Sequence, residues 1–176
     1  MPNTTPDATE ASEYYFQYIN LVPREDVRFV LAAQQRAMQE LFRTISDEQS
    51  THRYAADKWS IRQVVGHLND CERVFTFRAL WFARGFDSPL PSFNQDVAAQ
   101  RDASAHRLWS SLIEEFHHIR ASTISFFTDL PPEAWSKRGI ANEHEFTVRA
   151  LAHIIAGHVN HHATILSDRY LRENAR

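Results

Sequence analysis

The chain has one cysteine, Cys71, in 176 residues, which excludes an internal disulfide. Glycine is nearly as scarce, four in all. With 43% apolar residues this is an ordinary globular balance that argues against disorder. No block of lysine or arginine stands out and the net charge is −3, so nothing marks a nucleic-acid surface. The first twelve residues, Met1 to Ser12, are polar, carry Pro2 and Pro6, and lack an apolar core. They are neither a signal peptide nor a membrane span and are expected to form a mobile tail. Residues 13–176 then make a single domain, long enough to bury one substantial core. These absences together point to a cytoplasmic protein with neither a nucleic-acid nor a membrane partner.

What is present is helical periodicity. Four long periods stand out, with two long irregular connections between them. The first covers about residues 23–45, where Val27, Leu31, Met38, Leu41 and Ile45 recur at three- and four-residue steps behind the entry Pro23, Glu25, Asp26. The second begins at the capping box Ser60-Ile61-Arg62-Gln63 and runs to about Ala83. Residues 85–93, with Pro89 and Pro91, form a loop. The third spans about 103–128 and is ended by Pro131 and Pro132. Residues 133–146 form a connection with one short turn, and Thr147 caps a fourth helix reaching about Leu171. No sustained strand alternation and no repeat interrupts this pattern. The fold class is all-α, a four-helix bundle whose long connections release it from simple up-down-up-down order.

One stretch is unusual. In Gly157-His158-Val159-Asn160-His161-His162, His158 and His162 lie about 40° apart on the helical projection. They share a stripe with Leu151, Ile154, Ile155, Ile165 and Leu166. An i, i+4 pair of imidazoles can meet one cation. On the second helix His67 shares the stripe of Val64, Val74 and Phe75, whereas Arg62 and Glu72 point elsewhere. Buried neutral imidazoles need partners, and one divalent ion satisfies three together. The competing reading is a set of core histidines bonded to backbone, hydroxyls or water.

Other candidates rank lower. His161 lies about 60° from His158, at the edge of the face, where it can support the ligands. His153 points away from the stripe, and His52, His106, His117, His118 and His144 have no partner spacing. Arg78, within about 20° of His67, can hold an anionic substrate or thiol carboxylate, or it can snorkel or pair with Asp70. Asp70 can orient an imidazole or stand at the surface. Cys71 is a packing residue, a nucleophile or a fourth ligand. Gln34 interrupts the first apolar stripe and can reach the cavity, while Trp59, Trp81, Phe75 and Phe77 read as core and cavity wall.

Several strings carry a resemblance. Lys58-Trp59-Ser60-Ile61-Arg62-Gln63-Val64-Val65-Gly66-His67-Leu68 and Ala156-Gly157-His158-Val159-Asn160-His161-His162 resemble the DinB-like superfamily. So do Arg78-Ala79-Leu80 and Tyr18-Ile19-Asn20-Leu21-Val22-Pro23. The match is collinear over about residues 14–172. The resemblance implies an up-down-down-up bundle and a divalent metal, nickel or zinc, on His67, His158 and His162. It implies neither polymerase activity nor DNA binding, and it suggests a homodimer. Family members with assigned activities use low-molecular-weight thiols in transfer or isomerisation, and others carry only the label of metal-dependent hydrolase.

Three neutral ligands leave a cation its full charge and at least one open position, the arrangement of a catalytic site. Such an ion lowers the pKa of a bound water toward neutrality, or strips the proton from a small thiol. The expected function is therefore metal-dependent S-transfer or hydrolysis on a small-molecule substrate. The alternative is a non-catalytic, metal-stabilised stress-response bundle.

Overall fold

The computed structural model describes residues 4–171. Four long helices form the frame: α2 (Val27–Arg43), α3 (Ile61–Ala83), α5 (Trp109–Thr128) and α6 (Val148–Ile165). Two short ones, α1 (Phe16–Ile19) and α4 (Gln95–Arg101), flank it. Side-chain pairs fix the relative directions. Asn69, Glu72 and Thr76 on α3 meet Glu115, Arg120 and Thr123 on α5 in ascending order, so these helices run parallel. On α2, Gln35 meets His117 while Ile45, just past the helix end, meets Trp109, so α2 and α5 run antiparallel. The early His67 of α3 meets His158 and His162 late in α6, so that pair is antiparallel too. The order is up-down-down-up.

The expected helix starts and ends shift for local reasons. The first helix begins at Val27 because the Asp26 carboxylate accepts from the Arg28 amide as N-cap, leaving Pro23 and Glu25 outside. The capping box at Ser60 forms as expected, with Gln63 reciprocating. The third helix starts at Trp109 rather than near Ala103, since Ser104–His106 is a separate 3₁₀ turn. Thr147 caps α6 through the Ala150 amide, and a π-helical turn, Leu166–Leu171, follows α6.

The connection 133–146 also holds a feature the sequence did not announce. Strands β1 (Arg138–Ala141) and β2 (His144–Thr147) pair antiparallel around Asn142-Glu143. Both turn residues have positive φ, 52° and 62°, the left-handed pair of a two-residue hairpin turn. Four-residue strands are too short for alternation to show. Leu90 joins β1 by a parallel bridge, which ties the 85–93 loop to the hairpin.

Part of the segment expected as a mobile tail is packed instead. Glu10 and Ala11 are buried, and the Glu10 carboxylate accepts from the Thr147 hydroxyl (2.8 Å) and from the Arg149 guanidinium. Residues 1–3 of that tail and 172–176 of the expected domain lie outside the described residues. Among the described residues no helix is long and apolar enough to cross a membrane.

Two residues placed away from the buried stripe, Arg62 and Glu72, are in fact buried. They face α5 and its approach rather than α6. Arg62 donates to Ser50 (2.7 Å) and to the Arg107 carbonyl (2.7 Å). The two carboxylate oxygens of Glu72 accept from Arg120 Nε and Nη2, at 2.8 and 2.7 Å. Arg120 also donates to Gln34 Oε1 (2.8 Å), whose amide nitrogen donates to the Ala156 carbonyl and Asn160, each 2.7 Å away. Gln34 therefore belongs to a polar seam linking α2, α3, α5 and α6, and does not reach the cavity.

Candidate metal centre

The site assembles where α3 and α6 cross. Each of its first two histidines follows a glycine, and Gly157 has a specific reason. A Cβ there would sit 2.0 Å from the Tyr18 carbonyl oxygen, so only glycine lets the N-terminal segment lie against α6 at this level. The Tyr18 ring then meets the His158 ring edge-on, with centroids 5.3 Å apart. Trp59 closes the other side, its ring 4.9 Å from that of His67.

The structure brings His67, His158 and His162 together. Their ring centroids lie 4.9, 5.0 and 4.6 Å apart. His158 Nε2 is 3.1 Å from His67 Nε2 and 3.2 Å from His162 Nε2. A neutral imidazole nitrogen is either one donor or one acceptor. At most one of these two contacts can therefore be a hydrogen bond, which leaves the other an uncompensated close approach. A cation accepting a lone pair from each ring removes the conflict. Ligand nitrogens about 2.0–2.1 Å from a tetrahedral ion lie roughly 3.3 Å apart, close to the two spacings that His158 makes with His67 and His162. The residues fit a metal.

Cys71 joins the cluster from one turn along α3. The donor atoms of His67, Cys71 and His158 all lie within 4.8 Å of one another. Its sulfur is nearly equidistant from His67 Nδ1 (3.6 Å) and Nε2 (3.7 Å). It therefore rests against the ring instead of lying along either lone pair. Burial pushes the thiol up to about 12.

Burial also disfavours the imidazolium form of all three rings. It pulls His67 down to about 4 and His162 to about 3, and holds His158 well below the usual range, with the neighbouring histidines adding to the effect. The three rings are thus held neutral at neutral pH, the form able to bind a cation. The pH dependence of stability follows. Above about pH 6.5 neither the folded nor the unfolded chain protonates these rings. As pH falls toward 4 the unfolded chain binds protons that the fold refuses, so stability drops. We expect chelator-treated protein to lose about 1.4 kcal/mol per pH unit for each such histidine between pH 6 and 4.5, read by chemical denaturation. A flat profile there would contradict neutral burial.

The remaining candidates separate clearly. His161 is half-buried, with its ring 5.4 Å from Tyr18 and 5.1 Å from His162, so it packs beside the cluster. Asp70 neither orients an imidazole nor pairs with Arg78, and its nearest cation is Arg73 at 3.8 Å. Arg78 is buried, donates to the Pro91 carbonyl at 3.1 Å, and lies 5.9 Å from the Phe75 ring centre. His153 is fully buried, its Nδ1 3.0 Å from the Arg149 carbonyl. Phe77 is half-exposed and Trp81 stacks on Phe86, so neither walls the site, whereas Phe75 does.

Two cavities adjoin the cluster. One of about 310 Å³ opens beside His158 and is lined by Tyr14, Tyr15, Tyr18, Cys71, Val74, Phe75, Arg78, Phe93 and Gln95, with Asn142 and His144 from the hairpin. A smaller one of about 170 Å³ lies beside His162, between Tyr54, Trp59 and Tyr170. Sequence alone assigned no cavity role to the tyrosines or to the hairpin residues, His144 being read only as a histidine without partner spacing. The polar-aromatic N-terminal segment offered no periodicity, and the hairpin was too short to show.

An up-down-down-up bundle with a histidine cluster between its second and last long helices defines a DinB-type architecture. The chain belongs to the DinB superfamily, whose model matches residues 31–166. Among solved structures it is similar to YfiT from Bacillus subtilis, a probable metal-dependent hydrolase with an unusual four-helix bundle topology. The TM-score is 0.70 at 16% identity, over 96% of this chain and 93% of that one. It is also similar to a mycothiol-dependent maleylpyruvate isomerase, with TM-score 0.68 and 11% identity, over 81% of this chain but only 60% of that one. At these identities the likeness is one of fold. No curated protein matches the chain.

Proposed function

We propose that the protein is a metal-dependent enzyme in which His67, His158 and His162 hold a divalent cation, nickel or zinc, that activates water or a low-molecular-weight thiol toward a small substrate. The observation that carries this reading is the meeting of three neutral imidazoles, His67 and His158 buried and His162 partly buried, beside an open cavity. When bound, the cation supplies Lewis-acid activation of a water or thiol. The chain's own residues do the rest. Trp59 and Tyr18 shield two sides of the cluster from solvent, and Phe75 with the tyrosines gives the cavity an aromatic wall for the substrate body. A small thiol is a natural co-substrate for such an ion, whose charge would favour the thiolate form. The reading also includes action in the cytoplasm as a homodimer.

The test uses cobalt-loaded protein. Added thiol should change its visible absorption, which reports the coordination of the ion. Incubation with electrophiles and a panel of thiols should give conjugates if the reaction is S-transfer, and turnover without thiol if it is hydrolysis. A spectrum indifferent to thiol, together with no turnover across both panels, would overturn the enzyme reading and leave a metal-stabilised bundle.

A further inference from the structure

The larger cavity contains a charge that nothing in its wall balances. Arg78 is 3% exposed, yet no carboxylate lines the cavity and, among the described residues, none pairs with the guanidinium. Its described partners are neutral: the Pro91 carbonyl, the Phe75 ring and the Tyr15 phenol. A buried cation without a counter-charge is expensive, whereas a guanidinium presents five donors in a planar fork suited to a carboxylate. Arg120, also buried, shows the contrast, because both carboxylate oxygens of Glu72 accept from its guanidinium.

The position of Arg78 gives the ligand a length. Cys71, Val74, Phe75 and Arg78 are spaced i, i+3, i+4, i+7 on α3, so they line one side of the cavity over about 10 Å. Cys71 touches His67 at one end, and Arg78 stands at the other. Between them α3 presents Val74 and Phe75, and the cavity wall includes neither a lysine nor a second arginine.

We propose that Arg78 is the carboxylate anchor of this cavity and that the substrate is an elongated monocarboxylate. Its apolar or aromatic body lies along α3, and its far end reaches the histidine cluster. This rests on the proposed function for the role of that far end, but the anchoring itself needs no metal. A single guanidinium favours one negative charge, so dicarboxylates and phosphate esters bind less well than monoacids of the same length.

The experiment is calorimetric titration of ω-phenylalkanoates with two to five methylenes, and of the matching primary amides, into chelator-treated and metal-loaded protein. At least one acid should bind both forms, and its amide should bind at least about 30-fold more weakly. In R78M, which keeps the volume and drops the charge, acid and amide should bind alike. R78K keeps the charge but not the fork, so it should bind the acid with intermediate strength. Thermal melting adds a readout that a structural arginine would not give: R78M without ligand should melt at or above the wild-type temperature. The proposal falls if no acid binds, if acid and amide bind equally to wild type, or if R78M binds the acid as wild type does. Should R78M fail to fold, R78K decides, and wild-type affinity for the acid in that variant counts against the anchor. Acid binding with no cobalt response to thiol and no turnover, with or without thiol, would sink the metal-enzyme reading and spare this one. The reverse result would sink this one alone.

Discussion

His67→Ala is expected to weaken divalent-metal binding by two or more orders of magnitude. Loss of a residue that merely supports a ligand costs 10–100-fold, and loss of a ligand costs at least that much. The effect is also visible as stability. A cation at about 100 times its dissociation constant stabilises the native protein by about 2.7 kcal/mol. If the variant binds 100-fold more weakly, the same concentration gives it only about 0.4 kcal/mol. Denaturation with and without added zinc, on untagged protein, reads both values. Cys71→Ser is the informative companion. Its sulfur rests against the His67 ring and is not aligned with a lone pair, so the substitution should change affinity only a few-fold. A loss in Cys71→Ser equal to that in His67→Ala would move the cysteine into the ligand set.

Arg120→Ala is expected to destabilise the fold by about 3–5 kcal/mol, because it strands a buried carboxylate. Arg120 is fully buried and Glu72 3% exposed, so water cannot compensate either charge. The loss spreads through Gln34, which would surrender its Arg120 contact while still bonded to Ala156 and Asn160. Replacing both ion-pair members together, as Arg120→Met with Glu72→Leu, should recover most of the stability, since apolar groups of similar volume often match or exceed a buried pair. Urea denaturation of the two variants distinguishes these outcomes. A single variant within 1 kcal/mol of wild type would show that the pair is open to solvent in solution.

The contrast between these two sites shows what sequence makes legible. His67, His158 and His162 could be placed because polar residues recurring on an apolar helical stripe violate the pattern around them. Thr147 and Ser60 could be placed because caps act within four residues of their own chain. The Glu72–Arg120 pair was hidden for a complementary reason. Each residue alone has the character of a solvated face, and only the packing of α3 on α5 turns that face inward. Arg78 was seen as a candidate, but the choice between a surface partner and an internal charge depended on contacts 13 residues away, at Pro91. The hairpin escaped because its turn relies on Asn142 and Glu143 taking left-handed backbone, a preference strong for Asn-Gly but weak for this pair. His144 and Asn142, which it delivers to the cavity, escaped with it.

The contact between Gly157 and the Tyr18 carbonyl has a consequence for how such a scaffold can diversify. The segment bearing Tyr14, Tyr15 and Tyr18 is pinned to the last helix beside His158, at a point where no side chain can be inserted. The vestibule and the reactive centre thus share a rigid hinge-pin. Evolution can repaint the tyrosine wall to suit new substrates while the imidazoles keep their aim, as long as that glycine stays.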